Sequence, residues 1–161
     1  MPEVPNIEYD IFEIIATVSR LFACLRNGGY QPVSSYLAHL ECTQCGKTYS
    51  AGALSTVSPC CGKVLYARYD LPKLGREVDR DAVARRPGGM WSFAELLPVE
   101  DPANVVTLGE GGTPLLKAPN LGKRLGLNHL FIKEEGLNPT GTFKARGISA
   151  AISRAGELGA P

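Results

Sequence analysis

Two groups of side chains in this sequence have types and spacing that can do chemistry. One is a single amine, Lys144, in the run Asn138-Pro139-Thr140-Gly141-Thr142-Phe143-Lys144-Ala145-Arg146-Gly147. The other is a set of thiols, Cys42, Cys45, Cys60 and Cys61, crowded between positions 42 and 61. The amine can condense with a carbonyl; the thiols can hold a soft or borderline metal ion.

Around Lys144 a proline and a glycine break the chain after a short apolar segment, and the hydroxyls of Thr140 and Thr142 flank the break. A helix-patterned segment follows with Lys144 in its first turn. Unpaired N–H groups and the positive end of the helix dipole disfavour a second positive charge there, and Arg146 adds to them. Both effects favour the neutral amine that attacks a carbonyl. The same residue types also describe an ordinary exposed helix lysine, and residue types alone do not separate the two readings.

The thiols begin with Cys42-Thr43-Gln44-Cys45-Gly46-Lys47, a knuckle in which two thiolates share a tight turn and a glycine lets backbone N–H groups approach sulfur. A second group, Pro59-Cys60-Cys61-Gly62-Lys63, departs from the regular spacing. A regular second knuckle places its first ligand at Ser58. Adjacent side chains are expected to diverge, so Cys42, Cys45 and Cys61 are the better ligands, with Cys60 or His39 completing the set after rearrangement. A metal-free ribbon that keeps only its strands is the alternative.

The elements that must position these groups are legible in outline. Residues 7–25 carry an apolar stripe from Ile11 to Leu25, a helix ended by Asn27-Gly28-Gly29, with Cys24 a small buried hydrophobe on it. Tyr36–Glu41 and Val64–Tyr69 read as strands flanking the knuckles. In 73–105, Trp91, Phe93, Leu96 and Leu97 form a helical patch capped by Ser92, with Trp91 anchoring the segment by its large area; Arg85 and Arg86 read as a solvated charge pair. The glycine-rich Gly109-Glu110-Gly111-Gly112-Thr113-Pro114 precedes a strand, Leu115–Lys117. Asn120 caps a helix closed by Gly126. Leu130–Lys133 reads as a buried strand, and the last helix is expected to bury Ile148, Ala151, Ile152, Ala155 and Leu158.

The run Asn138–Gly147 resembles the segment that supplies the Schiff-base lysine in pyridoxal-phosphate enzymes of the tryptophan-synthase-β type, fold type II. Gly109–Leu115, Lys133-Glu134-Glu135 and the lysine run follow each other as they do in threonine synthases, and the resemblance extends from about Tyr36 to the end. It implies that Lys144 holds pyridoxal 5'-phosphate and later moves protons, that Phe143 and Asn138 touch the cofactor, and that Thr113, Thr140 and Thr142 shape the substrate pocket. The implied reaction converts O-phospho-L-homoserine and water to L-threonine and phosphate. Many relatives carry Asp where this chain has Ala145, though a subset has a small residue there. A cysteate synthase or threonine dehydratase is the alternative within this chemistry; a non-catalytic zinc-ribbon binding module is the alternative outside it.

Fold class is therefore α/β, in four parts. These are a helical extension (1–33), a zinc-ribbon-like unit (34–72), a connector (73–105) and the beginning of a fold-type-II catalytic domain (106–161). The chain stops where a helix ends with no following strand, so a fragment, nearly inactive by itself, is expected. A net charge of +1 from 17 basic and 16 acidic residues gives no pull towards nucleic acid or anionic membrane. No apolar run is long enough for a membrane span. An acidic N-terminus without a cationic region and an odd number of cysteines point to a reducing, cytoplasmic setting. The partners expected are a small amino-acid substrate, structural zinc and, for the whole enzyme, further copies of itself.

Overall fold

A computed structural model describes residues 34–160. The helix expected over 7–25, with Cys24, lies outside them. Strands β1 (Leu37–Cys42), β2 (Thr48–Tyr49) and β3 (Leu65–Tyr69) form an antiparallel sheet in the order β2-β1-β3. Leu40 pairs with Tyr49 on one side and with Ala67 on the other. Helices α1 (Leu71–Glu77) and α2 (Arg80–Ala84) follow, capped by the carboxylates of Asp70 and Asp79. These side chains accept N–H groups that the first turn leaves unpaired.

The patch around Trp91 is a 3-10 helix, Met90–Leu96, entered from Gly89 rather than capped by Ser92, whose hydroxyl instead donates to the Pro87 carbonyl. Arg86 is not the solvated cation expected. It makes a two-pronged bridge to Glu95, at 2.8 and 2.6 Å, and Glu95 is buried. A buried carboxylate needs such a partner, and a guanidinium fork fits both oxygens at once.

Strands β4 (Leu115–Lys117) and β5 (Phe131–Lys133) pair antiparallel, with Leu116 opposite Ile132. Helix α3 (Pro119–Leu125) links them. It is entered from Ala118 with proline in its first turn, so Asn120 lies inside it rather than at its cap. β5 was expected to be buried, but Phe131 and Ile132 are exposed among the described residues. Among the described strands none pairs in parallel, so the described residues show mixed helix and strand but not the parallel sheet of an open α/β fold.

Helix α4 (Lys144–Glu157) buries a face about a third of a turn round from the one expected: Ala155 and Leu158 are half-buried, but Ala151 is exposed. Ile148 and Ile152 are exposed, whereas Ala145, Ser149 and Ser153, at four-residue spacing, are buried. The serines bind one backbone unit. Ser149 Oγ donates to the Val106 carbonyl at 2.7 Å, and Ser153 Oγ accepts from the Val106 N–H at 2.8 Å. At the far end Glu157 accepts from the N–H groups of Glu100 and Asp101, and Arg154 donates to the Ala51 carbonyl in the ribbon at 2.8 Å. The helix that begins with Lys144 is thereby held by polar contacts from its middle to its far end, because buried donors and acceptors must find partners.

Candidate functional site

The lysine lies at the first position of α4, after the 3-10 turn Glu135–Leu137 that follows β5. Lys144 is exposed, and no described residue bonds its amine. Its backbone N–H donates to Thr142 Oγ1 at 3.3 Å, and Gly141 N–H donates to the Asn138 carbonyl at 2.8 Å. Thr140, Thr142 and Phe143 on this loop are exposed as well.

Asn138 and Thr113 are buried instead, inside a network that fixes the loop from behind. Asn138 Oδ1 accepts from Gly111 N–H at 3.0 Å, while its amide nitrogen donates to the carbonyl and carboxylate of Glu135. Thr113 Oγ1 donates to Glu135 Oε1 at 2.5 Å, and Lys133 donates to the Thr113 carbonyl. Arg146 closes the network with two bonds to Glu135, at 2.7 and 2.8 Å. Arg146 therefore neutralises a carboxylate rather than standing as a second free cation beside Lys144. Its guanidinium, with the Thr113 and Asn138 side chains, holds the Glu135 carboxyl well below the usual carboxylate range despite partial burial.

Neither Glu135 nor Arg146 was read from the sequence as a partner of the other. They stand eleven positions apart across a loop, where no periodic pattern links them. The same holds for Glu110, which is 2% exposed and accepts from Trp91 Nε1 (3.0 Å), Thr107 Oγ1 (2.9 Å) and Leu108 N–H (3.0 Å). Burial pushes its carboxyl up, but the Ser149 hydroxyl, backbone N–H groups and the Thr107 hydroxyl together hold it below its ordinary value.

Glycine is required at Gly111. Its φ is +93°, and a Cβ there would lie 2.4 Å from the Met90 nitrogen and 2.9 Å from the Gly89 carbonyl carbon. Gly111→Ala is expected to destabilise by roughly 3 kcal/mol or more, the sum of backbone strain and a clash with main chain. A thermal denaturation curve unchanged from that of the native protein would contradict this.

Acid should loosen the same region. Glu95, held down chiefly by Arg86, and Glu135 and Glu110 all titrate below the ordinary 4.5 in the folded protein. The unfolded chain then binds more protons, so their stabilisation is complete above about 4.5 and is lost as pH falls through the folded values. Urea midpoints should drop between pH 6 and pH 3, and Glu95→Gln should flatten that drop.

The thiols form the second candidate site. Cys42 N–H donates to the Lys47 carbonyl and Gly46 N–H to the Cys42 carbonyl; Ser58 N–H donates to the Lys63 carbonyl and Gly62 N–H to the Ser58 carbonyl. These are two copies of one knuckle, with Gly46 (φ 73°) and Gly62 (φ 61°) in matching left-handed turns. Ser58 stands in the first-ligand position of the second copy, as its spacing predicts. It is buried, accepts from Lys63 N–H at 3.0 Å and hydrogen-bonds Cys42 Sγ at 3.3 Å.

Cys60 supplies the sulfur that Ser58 lacks. Its Sγ lies 3.3 Å from Cys45 Sγ, and the sulfurs of Cys42, Cys45, Cys60 and Cys61 all fall within 4.8 Å of one another. The expectation that Cys60 and Cys61 diverge does not hold, because they sit in a turn where side chains do not alternate as on a strand. His39 is not in the group; it pairs with Arg68 across β1 and β3. Four thiolates about 2.3 Å from a tetrahedral ion stand about 3.8 Å apart, so the cluster fits zinc with little adjustment. The Ser58 hydroxyl, with backbone N–H groups of Cys45 and Gln44, brings the Cys42 thiol down to about 6, in the sense that prepares a ligand.

Residues 106–160 match the family described as pyridoxal-phosphate dependent enzyme. The chain is 43% identical over 120 residues to a threonine synthase of Methanocaldococcus jannaschii, covering 74% of this chain and 29% of that relative. It is 38% identical over 121 residues to the threonine synthase of Methanosarcina acetivorans, covering 75% and 29%. To that of Synechocystis it is 45% identical over 91 residues, covering 56% and 24%. The chain thus spans less than a third of the length of these relatives. No solved structure matches it. The resemblance to threonine synthases read from the lysine and glycine-loop motifs is borne out. No described helix is long and apolar enough to cross a membrane.

Proposed function

We propose, from this likeness to threonine synthases, that the chain supplies the lysine arm of a pyridoxal-phosphate enzyme that converts O-phospho-L-homoserine and water to L-threonine and phosphate. The observation that carries the reading is the Lys144 amine, exposed and unpartnered among the described residues on a loop braced from behind by Glu135, Arg146 and Asn138. An amine in that state fits an aldehyde cofactor. When bound, the cofactor would supply an electron sink for carbanion chemistry.

The chain's own residues do the rest. Lys144 would hold the cofactor, and its Nζ would carry protons between substrate carbons. Phe143 offers an apolar face beside it. The exposed hydroxyls of Thr140 and Thr142 are available to a small amino-acid substrate. Asn138 and Thr113 act here through their buried bonds, keeping the loop and the glycine turn in register. We extend the reading to a fold-type-II catalytic domain beginning near residue 106, in a cytoplasmic enzyme able to assemble with copies of itself.

The four-cysteine cluster is proposed as a structural zinc site that closes the ribbon, with Cys42, Cys45, Cys60 and Cys61 as ligands. Borohydride reduction of the protein supplied with pyridoxal phosphate, followed by peptide mapping, tests the lysine reading. Label concentrated on Lys144 supports it, and label spread over surface lysines such as Lys117 and Lys123 sinks it. Zinc found by elemental analysis, together with no label at Lys144, would favour a ribbon-type binding module instead.

A further inference from the structure

We propose that Glu110 is a positioning residue for Lys144, the knot that holds the lysine helix α4 against the glycine loop and the tryptophan turn. The inference rests on Lys144 being the amine that takes up the cofactor.

Glu110 is almost wholly buried, yet the groups that bond its oxygens, the Trp91 indole, the Thr107 hydroxyl and the Leu108 N–H, are neutral, as is the Ser149 hydroxyl beside them. An ionised carboxylate persists in such a place only when several fixed donors converge on it. Those donors come from different parts of the chain. Trp91 Nε1 also reaches Ser149 Oγ on α4, at 3.2 Å, so one N–H ties the carboxylate to the lysine helix. The Glu110 carbonyl accepts from Met90 N–H at 3.0 Å, fixing the same turn from the backbone side. The next residue, Gly111, donates to Asn138, the first residue of the lysine loop. Glu110 therefore bears on Lys144 from both directions along the chain, through Asn138 before it and Ser149 after it.

The charged group facing Glu110 from α4 is Arg146, whose guanidinium is committed to Glu135 and feels Glu110 only through the field. A glutamine at 110 would keep the volume but turn an NH2 group towards donors, leaving N–H facing N–H. The loop, the turn and the helix would then separate. Misplacing a reacting group by about an ångström costs on the order of 100-fold in rate.

The test measures, in the protein supplied with pyridoxal phosphate and reduced with borohydride, the label at Lys144 relative to Lys117 and Lys123. The native protein should favour Lys144, and Glu110→Gln should lower that ratio by roughly 10-fold to 100-fold. The native ratio should also fall as acid neutralises Glu110, and the variant's should fall less steeply, since only Glu135 and Glu95 still titrate in it. Trp91 is the sole tryptophan, so its emission reports the same knot. An acid titration of that emission should appear in the native protein and lose the Glu110 component, leaving a smaller change, in Glu110→Gln.

Ser149→Ala removes the helix contact to Trp91 together with the bond to the Val106 carbonyl, leaves the Glu110 carboxylate in place, and should lower the labelling ratio in the same direction by less. It decides the matter if Glu110→Gln does not fold. Native labelling ratios in both variants overturn the role of Glu110 alone. A native protein with no preference for Lys144 overturns the cofactor reading and this inference with it.

Discussion

Lys144→Ala is expected to abolish covalent uptake of pyridoxal phosphate and to lower any threonine-forming activity by on the order of 1000-fold or more, since loss of a nucleophile is not made good by its neighbours. The fold should survive. The Lys144 side chain bonds no described residue, and the helix it begins is held elsewhere, by Ser149, Ser153 and Glu157. Far-UV circular dichroism and thermal midpoint should stay close to native while the borohydride-fixed label disappears. Arg146→Ala provides the contrast. It would leave Glu135 without its guanidinium, so it should disturb stability and labelling together. Persistent label on the alanine variant, mapped to another lysine at native yield, would remove the basis for assigning the chemistry to Lys144.

The second large effect concerns the ribbon. Apart from Cys42 and Ser58 its interior buries little, and Leu54, Val57, Val64 and Tyr66 are exposed. With so small a core, closure is expected to depend on the proposed zinc ion. Apparent binding energies of about 10–16 kcal/mol at structural zinc sites are folding energy. Chelation should therefore unfold β1–β3 while leaving α4 helical.

Individual positions separate the ligands from their supports. Ser58→Ala removes a hydroxyl that bonds Cys42 sulfur and should weaken zinc roughly 10-fold to 100-fold, the effect of losing an outer hydrogen-bond partner. Cys60→Ser removes a ligand and should weaken it more. The double exchange Ser58→Cys with Cys60→Ser restores the regular knuckle spacing and should recover zinc. Competition titration with a chromogenic chelator measures all three. Native affinity in Cys60→Ser would show that the fourth position is filled by something other than Cys60.

Much of this was legible in the sequence because it is local. The knuckle turns follow from Cys-x-x-Cys-Gly-Lys and its echo at Ser58, since a tight turn with a left-handed glycine is specified by a few adjacent residues. The strands beside them follow from alternation. The lysine loop follows from Pro139 and Gly141 breaking the chain just before a helical pattern, and the family resemblance came from that same short run. Position along the chain thus determined which amine and which thiols were candidates.

What the sequence left open depended on residues far apart in it. The buried face of α4 was misread because Ile148 and Ile152 are the more apolar. Val106, more than forty positions away, offers backbone groups that only the serines can satisfy. The partnerships of Arg86 with Glu95 and Arg146 with Glu135 look like solvated charges until the chain folds each pair together, the first largely out of water and the second partly so. Cys60 looked misplaced by rules drawn from strands, and a turn brought its sulfur into the cluster. Residue types and short spacings set the chemistry available. Tertiary packing decided which polar groups had to find each other, because a buried donor or charge left without a partner costs more than the fold can spare.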